Sequence, residues 1–229
     1  MPQPAPKPIT AAQILTQLRA QASPTNLQGM ARFAIRTDRA LGIPTDEVNK
    51  IARPHRKNHA LALDLWNTNY REAQLVAILI ADPAKLTGPQ MDRWASQLDS
   101  WDVCDSCAIH LFRKSPLAWK KALVWSKRKP EFIRRLGFAM VATLAVHDKT
   151  KSDDVFEDWL PRIEAAARDP RNFVKKAVNW ALRQIGKRNP NLRQSAIEVA
   201  RRLSTDKDPT ARWIANDALR ELNRFSIEP

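Results

Sequence analysis

Two stretches near the C-terminus repeat one pattern: "RDPRNFVKKAVNWALRQI", residues 168–185, and "DKDPTARWIANDALREL", residues 206–222. Each contains Asp-Pro, continues through basic and small apolar residues, and reaches Leu-Arg near its end. An aspartate can cap the first turn of a helix, and a proline fits the first helical position. Each stretch therefore predicts a helix with a defined start, and the second predicts a copy of the first.

Proline marks the rest of the chain at a similar interval. The prolines at 44, 83, 130, 170 and 209 are separated by 39, 47, 40 and 39 residues. This is the period of HEAT or armadillo repeats, which are about 40 to 47 residues long. Such repeats bury their apolar faces only by stacking, which produces a curved solenoid with a concave surface. An irregular helical bundle with accidental proline spacing is the alternative.

The composition favours an all-α fold. Hydrophobic residues make up 44% of the 229 residues, which include five glycines and one tyrosine. Strong helix formers dominate, and few residues typical of strands and turns interrupt them. We expect one HEAT-like domain over 9–229 and a disordered, proline-rich lead over 1–8. Amphipathic periodicity predicts thirteen helices, at 9–22, 27–40, 45–53, 58–68, 71–81, 88–97, 101–113, 117–127, 131–146, 154–167, 172–187, 191–203 and 210–223.

Positive charge is concentrated in the C-terminal half. The chain carries a net charge of +14, yet residues 1–112 hold 12 basic and 10 acidic side chains. Residues 113–151 hold 11 basic and 2 acidic side chains, and residues 171–229 hold 13 and 6. This clustering predicts a polyanionic partner, with nucleic acid the best match, on a basic concave face. A solvated basic surface is the alternative.

The sequence gives no sign of a membrane or secreted protein. No apolar run approaches the roughly 18 to 20 residues that span a bilayer, and the first eight residues lack an apolar signal core. Two cysteines three residues apart do not make a disulfide framework, which fits a reducing compartment. We expect a cytoplasmic monomer.

The stretch "SWDVCDSCAIH", residues 100–110, holds several reactive side chains. A helical wheel places Cys104 and Cys107 in an apolar stripe, whereas Trp101 and Asp105 share a surface beside it. No second C-x-x-C exists, and the histidines outside this stretch lie in unrelated contexts, so the cysteines are interpreted as small buried hydrophobes and no metal is expected. Trp101 and Asp105 are either a functional indole and carboxylate or a packing tryptophan with a capping aspartate.

The predicted helix 172–187 favours the functional interpretation. Its wheel places Trp180 off the apolar face, next to the cations Lys176, Arg183 and Lys187. Phosphate-neutralising cations beside an aromatic platform are typical of a nucleic-acid surface, while a tryptophan filling a gap between helices is the alternative. In the predicted helix 131–146, the apolar residues leave Arg135 largely on the opposite side.

Four segments together resemble the DNA alkylation repair family of HEAT-like glycosylases, the AlkD family. They are "MARFAIRTDRALGIPT" (30–45), "WDVCD" (101–105), "FIRRLGF" (132–138) and "FVKKAVNWALR" (173–183). The resemblance covers roughly residues 27–223. It implies hydrolysis of the N-glycosidic bond of N3- or N7-alkylated purines in double-stranded DNA, without metal or cofactor.

The resemblance also implies roles for individual residues. Asp105 would be the catalytic carboxylate, stabilising an oxocarbenium-like sugar and orienting water. Trp101 and Trp180 would contact the lesion nucleotide, and Arg135 would hold a flanking phosphate. Further phosphate contacts are expected from the basic side chains Arg134, Lys176, Arg183 and Lys187.

One position departs from the family pattern. Phe33 stands where the characterised glycosylases carry a tyrosine, so the ring is kept and a hydroxyl contact to phosphate is lost. The resemblance implies that relatives without the full aromatic set bind DNA without glycosylase activity. The alternatives to a glycosylase are therefore a non-catalytic protein that recognises bent or branched DNA, or a scaffold whose concave face takes an acidic peptide.

Overall fold

The structure, a computed structural model, describes residues 9–226 and is helical, with no strand in that range. It confirms the predicted all-α, HEAT-like class. The α-helices are α1 (Ala11–Arg19), α2 (Pro24–Arg32), α3 (Thr45–Ala52), α4 (His59–Asn67), α5 (Arg71–Ile80), α6 (Gly88–Ser96), α7 (Trp101–Ser106), α8 (Ala118–Trp125), α9 (Glu131–His147), α10 (Asp153–Glu157), α11 (Leu160–Ala166), α12 (Asn172–Gly186), α13 (Pro190–Ser204) and α14 (Pro209–Leu222).

Contacts divide the described residues into two compact units, 9–87 and 88–226. The single domain expected over 9–229 stays a prediction, and the predicted disordered lead at 1–8 lies outside the described residues. Within those residues, every helix is too short or too polar to cross a membrane.

The first unit contains α1 to α5, and its α2 differs from the predicted helix 27–40. Helix α2 ends at Arg32, and Ala34 adopts a positive φ of 54°. The connection to α3 is held by Glu72 of α5, which is fully buried. Its carboxylate accepts the backbone N–H groups of Leu41 and Gly42 at 2.9 and 3.1 Å. These hydrogen bonds hold the end of the connection next to α3, and residues 33–40 form turns and irregular structure where the periodicity alone predicts helix.

In the second unit, α12 packs between α9 and α14, and α13 packs on both α12 and α14. Contacts between neighbouring repeats recur at an offset of 38 residues. The pairs are Glu157–Ser195, Glu164–Arg202, Lys175–Trp213, Asn179–Asp217 and Arg183–Glu221. Their constant offset shows that the sequence repeat of residues 168–185 and 206–222 is also a repeat in space.

Two predicted helices of this unit are interrupted. The predicted helix 154–167 is divided into α10 and α11, with Pro161 in the first turn of α11, where a proline is tolerated. The predicted helix 101–113 is α7 followed by a π-helical turn at Cys107–Leu111 and a 3₁₀ turn at Phe112–Lys114.

Candidate functional site

Asp105 of α7 forms a bidentate ion pair with Arg135 of α9. Arg135 Nε donates to one carboxylate oxygen at 2.9 Å, and Nη2 donates to the other at 2.6 Å. The remaining nitrogen, Nη1, donates to the backbone carbonyl of Phe173 in α12 at 2.7 Å. One guanidinium therefore connects three helices, and this geometry fixes the plane of the carboxylate.

The ion pair is largely shielded from water. The exposed fractions of the two side chains are 16% for Asp105 and 7% for Arg135. Burial raises the pKa of the Asp105 carboxyl above its usual range, although the Arg135 charge and hydrogen bonds oppose that change and Asp102 adds to it. The result is an oriented carboxylate with little water around it, of which a small part stays accessible to solvent.

The position of Arg135 corrects the expectation from the helical wheel. The wheel left this side chain opposite the apolar residues, but the structure buries it, together with every residue from 135 to 145. The reason is that α9 contacts α6, α7, α8 and α12, so it has no open face along this length. A helical wheel assumes that a helix has one apolar face, whereas a central helix such as α9 is covered on several faces.

The rest of α7 follows the prediction more closely. Trp101 lies one turn before Asp105, and both are partly exposed. Cys104 and Cys107 are buried and free, which confirms their interpretation as core residues. Burial also raises the pKa of both thiols, which keeps them protonated. Across residues 9–224, no three His, Cys, Asp or Glu side chains gather closely enough to hold a metal ion.

Trp180 lies on the same helix that anchors Arg135. It follows Phe173 by seven residues, so it occupies the same side of α12 about 10 Å further along the axis. The indole is partly exposed, as is expected of a residue outside the apolar face. The structure therefore places Trp180 on the helix whose first turn binds the Arg135 guanidinium.

The predicted phosphate-binding cations differ in their availability. Lys176 is exposed. Arg183 and Lys187 both pair with Glu221 of α14, the lysine at 2.5 Å. Arg134 lies 3.5 Å from Asp169. A phosphate that binds Arg134, Arg183 or Lys187 would therefore compete with a carboxylate, whereas the Lys176 ammonium is already on the surface.

Sequence reasoning missed Trp213 of α14. Its side chain is 40% exposed, and Lys175 Nζ lies 4.5 Å from the ring centroid. The repeat in the sequence could have identified this contact. Trp213 stands 38 residues after Lys175, which lies in the equivalent helix, α12. A cation over an exposed indole is the combination expected of a surface that contacts nucleic acid.

Phe33 belongs to the first unit, where it ends α2 and is 71% exposed. It lies at the edge of a shallow pocket that Met30, Ile35 and Ile43 also line. An exposed ring at a helix end, with no hydroxyl, can offer apolar and stacking contacts to a partner.

Comparison with known proteins supports the class that the fold defines, an all-α protein of HEAT-like helical repeats. A solved structure described as belonging to "a new family of proteins related to the HEAT-like repeat DNA glycosylases with affinity for branched DNA structures" superposes with a TM-score of 0.80. The identity is 20%, and 95% of each chain is covered. An uncharacterized protein of Listeria innocua, Lin0241, is 21% identical over 84% of this chain and 86% of its own length.

The family model for the DNA alkylation repair enzyme matches residues 14–222. The chain therefore belongs to the DNA alkylation repair enzyme family. The predicted resemblance of the chain to this family is confirmed.

Proposed function

We propose that this protein binds alkylated duplex DNA as a monomer and hydrolyses the N-glycosidic bond of N3- or N7-alkylated purines. The observation that carries the proposal is the carboxylate of Asp105, oriented, largely dry and one turn from the indole of Trp101. Alkylation makes the purine cationic, so the base leaves as a neutral molecule and needs little protonation. The positive charge that develops on the sugar is what the protein must stabilise.

The reaction needs few protein groups. The bond between sugar C1′ and the purine nitrogen breaks, and its electron pair leaves with the base. A water oxygen then bonds to C1′ and releases a proton to the Asp105 carboxylate or to solvent. The carboxylate stabilises the oxocarbenium-like transition state by its negative charge, which is more effective in a site with little water.

Arg135 takes a different role in this proposal from the one that the sequence suggests. All three of its guanidinium nitrogens donate to Asp105 or to Phe173. The geometry therefore favours a positioning residue that holds the carboxylate over one that grips a flanking phosphate. Arg135 neutralises part of the negative charge of Asp105, which weakens the attraction to the sugar. The fixed orientation of the carboxylate toward the sugar offsets this loss.

Contacts to DNA are assigned to the exposed groups of the second unit. Trp101 and Trp180 are proposed to contact the nucleotide that carries the lesion, and Lys176 a neighbouring phosphate. Lys175 and Trp213 extend this basic and aromatic surface onto α14. Phe33 is proposed to add an aromatic contact from the first unit, and Arg134, Arg183 and Lys187 to add phosphate contacts when their carboxylate partners release them.

Base release from methylated DNA tests the proposal. We expect the wild type, in excess over methylated duplex DNA, to release 7-methylguanine or 3-methyladenine, detected by chromatography. Asp105→Asn should lower the single-turnover rate by about 10²- to 10³-fold, because it removes the charge that stabilises the transition state. DNA affinity should stay within about threefold, since the amide keeps the shape of the side chain.

Asp102→Asn is the matched control on the same helix. Asp102 accepts a hydrogen bond from the Ser100 hydroxyl at 2.6 Å, and the amide oxygen of asparagine can accept the same bond. Its rate of base release should remain within a few-fold of wild type. No base release by the wild type at high enzyme excess, or equal rates of release for wild type and Asp105→Asn, would refute the proposed glycosylase activity.

A second candidate is a protein that binds branched DNA without releasing bases. It is favoured by the likeness to a structure whose family is described as having affinity for branched DNA, and by the neutralising pair on Asp105. Tight binding of a four-way junction without base release, unchanged in Asp105→Asn, would establish it. Failure to bind any DNA at about 0.15 M salt would point instead to the peptide-binding scaffold.

A further inference from the structure

The first turn of α12 is capped by a side chain from another helix. Glu131, the first residue of α9, accepts the backbone N–H of Phe173 through Oε1 at 3.3 Å. Phe173 is the second residue of α12. The N–H groups in the first turn of a helix have no acceptor within that helix, so they need one from outside. Glu131 supplies that acceptor across the contact between α9 and α12.

The residues just before α12 do not cap it. Its N-cap residue is Arg171, whose side chain makes no capping hydrogen bond. Asp169, from the Asp-Pro pair that the sequence suggests as a cap, instead accepts the Arg171 backbone N–H at 3.2 Å and its Nε at 2.9 Å. The equivalent Asp208 does cap α14, because it accepts the backbone N–H of Thr210 at 2.7 Å. The repeat therefore leaves α12 without a local cap, and the contact from α9 takes its place.

Both polar groups of the Phe173 backbone are held by α9. The carbonyl accepts from Arg135 Nη1 at 2.7 Å, while the N–H donates to Glu131. Glu131 and Arg135 are four residues apart, so they are neighbours on one side of α9. A movement of the first turn of α12 away from Glu131 would therefore also move the carbonyl that holds the Arg135 guanidinium.

Phe132 extends this support to α7. Its ring lies 5.3 Å from the ring of Phe173, measured between centroids, with a tilt of 32°. Its carbonyl accepts the thiol of Cys104 at 3.6 Å, and Cys104 directly precedes Asp105 in α7. The first turn of α9 therefore contacts both helices that adjoin the ion pair.

We propose that Glu131 is a positioning residue for base release, which acts by fixing the Phe173 carbonyl. That carbonyl holds Arg135, and Arg135 holds both oxygens of the Asp105 carboxylate. The inference rests on the proposed function, because it needs Asp105 to stabilise the sugar. Glu131 acts through these contacts and not on the nucleotide itself. Its loss should lower the rate, since a displacement of about 1 Å in a catalytic group can remove a large part of its effect.

A second role of Glu131 has to be separated from the cap. A carboxylate in the first turn of α9 also stabilises that helix, because it lies near the positive end of the helix dipole. Glu131→Gln removes the charge but keeps an oxygen that can accept the Phe173 N–H, whereas Glu131→Ala removes both. A difference between these two variants therefore reports the cap of α12 and not the dipole of α9.

Single-turnover base release from methylated duplex DNA tests the proposal with the full chain. Glu131→Ala should lower the rate about tenfold, while the dissociation constant for the same duplex changes less than about twofold. Glu131→Gln should stay within about threefold of the wild-type rate. Glu157→Ala is the matched control, since Glu157 accepts the Ser195 hydroxyl at 2.7 Å between α10 and α13, which carry no part of the ion pair. Its rate should remain within about twofold of wild type.

A double-mutant cycle shows whether Glu131 acts through Arg135. Arg135→Lys loses the bidentate contact, so the Phe173 carbonyl no longer decides the orientation of the carboxylate. Adding Glu131→Ala to Arg135→Lys should therefore lower the rate less than about twofold further. Losses that simply multiply would overturn the inference. So would a wild-type rate in Glu131→Ala, or an equal loss of rate in Glu131→Gln.

Titration of the Asp105 carboxyl carbon by NMR gives a readout that needs no base release. Burial and the charge of Asp102 raise the pKa of this carboxyl, whereas Arg135 lowers it. A loosened Arg135 should lower it less, so the titration midpoint should be higher in Glu131→Ala than in wild type and nearly unchanged in Glu131→Gln. Loss of the Glu131 charge by itself would act in the opposite direction.

The two measurements separate failure of the inference from failure of the proposed function. A wild type that releases no base would refute the proposed glycosylase activity alone, and the titration would still test the contact between Glu131 and the ion pair. An Asp105 midpoint that is the same in Glu131→Ala and wild type would overturn the positioning role in either case.

Discussion

Single residues decide the chemistry that this protein can perform, and the pair of Asp105 and Arg135 is the clearest case. Burial raises the carboxyl pKa, and the guanidinium opposes that change. An ion pair removed from water depends strongly on both partners, since each leaves the other as an unpaired buried charge when it is lost. The two residues act as one unit, and a change at Arg135 should alter the protonation of Asp105.

The pH dependence of base release should report this coupling. Asp105 must be ionised to stabilise the sugar cation, so the single-turnover rate should fall as pH drops through its raised pKa. Arg135→Met removes the group that lowers this pKa, so the acidic limb should move to higher pH. Arg135→Lys keeps the charge but loses the bidentate geometry, and its limb should lie between the other two.

Folding of these variants needs a separate measurement. Removing one member of a buried pair costs about 3 to 5 kcal/mol, so thermal melts should accompany each rate profile. The rates are taken well below the melting temperature, after subtracting spontaneous loss of methylated bases at each pH. Identical acidic limbs in wild type, Arg135→Met and Arg135→Lys would show that Arg135 does not act on Asp105.

At the scale of helices, the closeness of α8 and α9 depends on one glycine. A Cβ atom at Gly137 would lie 2.6 Å from Ser126 Cα and 2.8 Å from the Trp125 carbonyl carbon, both of which are backbone atoms. Backbone atoms cannot relieve such a clash by rotating away, as the end of a flexible side chain can. The helices can meet at this distance only if residue 137 has no side chain.

Gly137→Ala should therefore destabilise the protein. We expect a loss of about 1 to 3 kcal/mol in the free energy of unfolding, measured by urea denaturation, because the added methyl must force α8 and α9 apart. Gly29→Ala is the matched control, since a Cβ there meets nothing within 4 Å inside α2. It should be neutral or stabilising by up to about 1 kcal/mol. A neutral Gly137→Ala would contradict the close packing of α8 on α9.

At the scale of the whole chain, the distribution of charge should govern binding. The net charge is +14, but several cations are already paired with carboxylates across the 38-residue repeat, as in Arg183 with Glu221 and Arg202 with Glu164. Internal pairs contribute little to the release of counterions from DNA. The number of phosphates neutralised should therefore be smaller than the count of basic residues suggests.

The salt dependence of duplex binding should distinguish exposed from paired cations. Lys176→Gln should reduce the slope of log K against log salt by about 0.9, because one exposed phosphate contact is lost. Arg183→Gln should change the slope by less than half as much, since this side chain is paired with Glu221. Equal reductions in the two variants would show that DNA displaces the carboxylate from Arg183.

The sequence by itself determined the helical repeat, the positions of most helices, the burial of Cys104 and Cys107, and the basic character of the C-terminal half. These features follow from periodicity and composition, which act along short segments of chain. The closeness of Trp101 to Asp105 was also predictable, because it depends only on a spacing of one helical turn.

Tertiary structure decided what local patterns cannot contain. Arg135 is buried against Asp105 because α9 has neighbours on several sides, and Arg183 is paired because α14 places Glu221 beside it. Helix α2 ends earlier than predicted, just before Phe33. The connection that follows it is bound by the buried Glu72, which lies more than thirty residues further along the chain. Each outcome depends on residues that are distant in sequence and come together only when the repeats stack. The sequence of a single helix does not show which helices will pack against it.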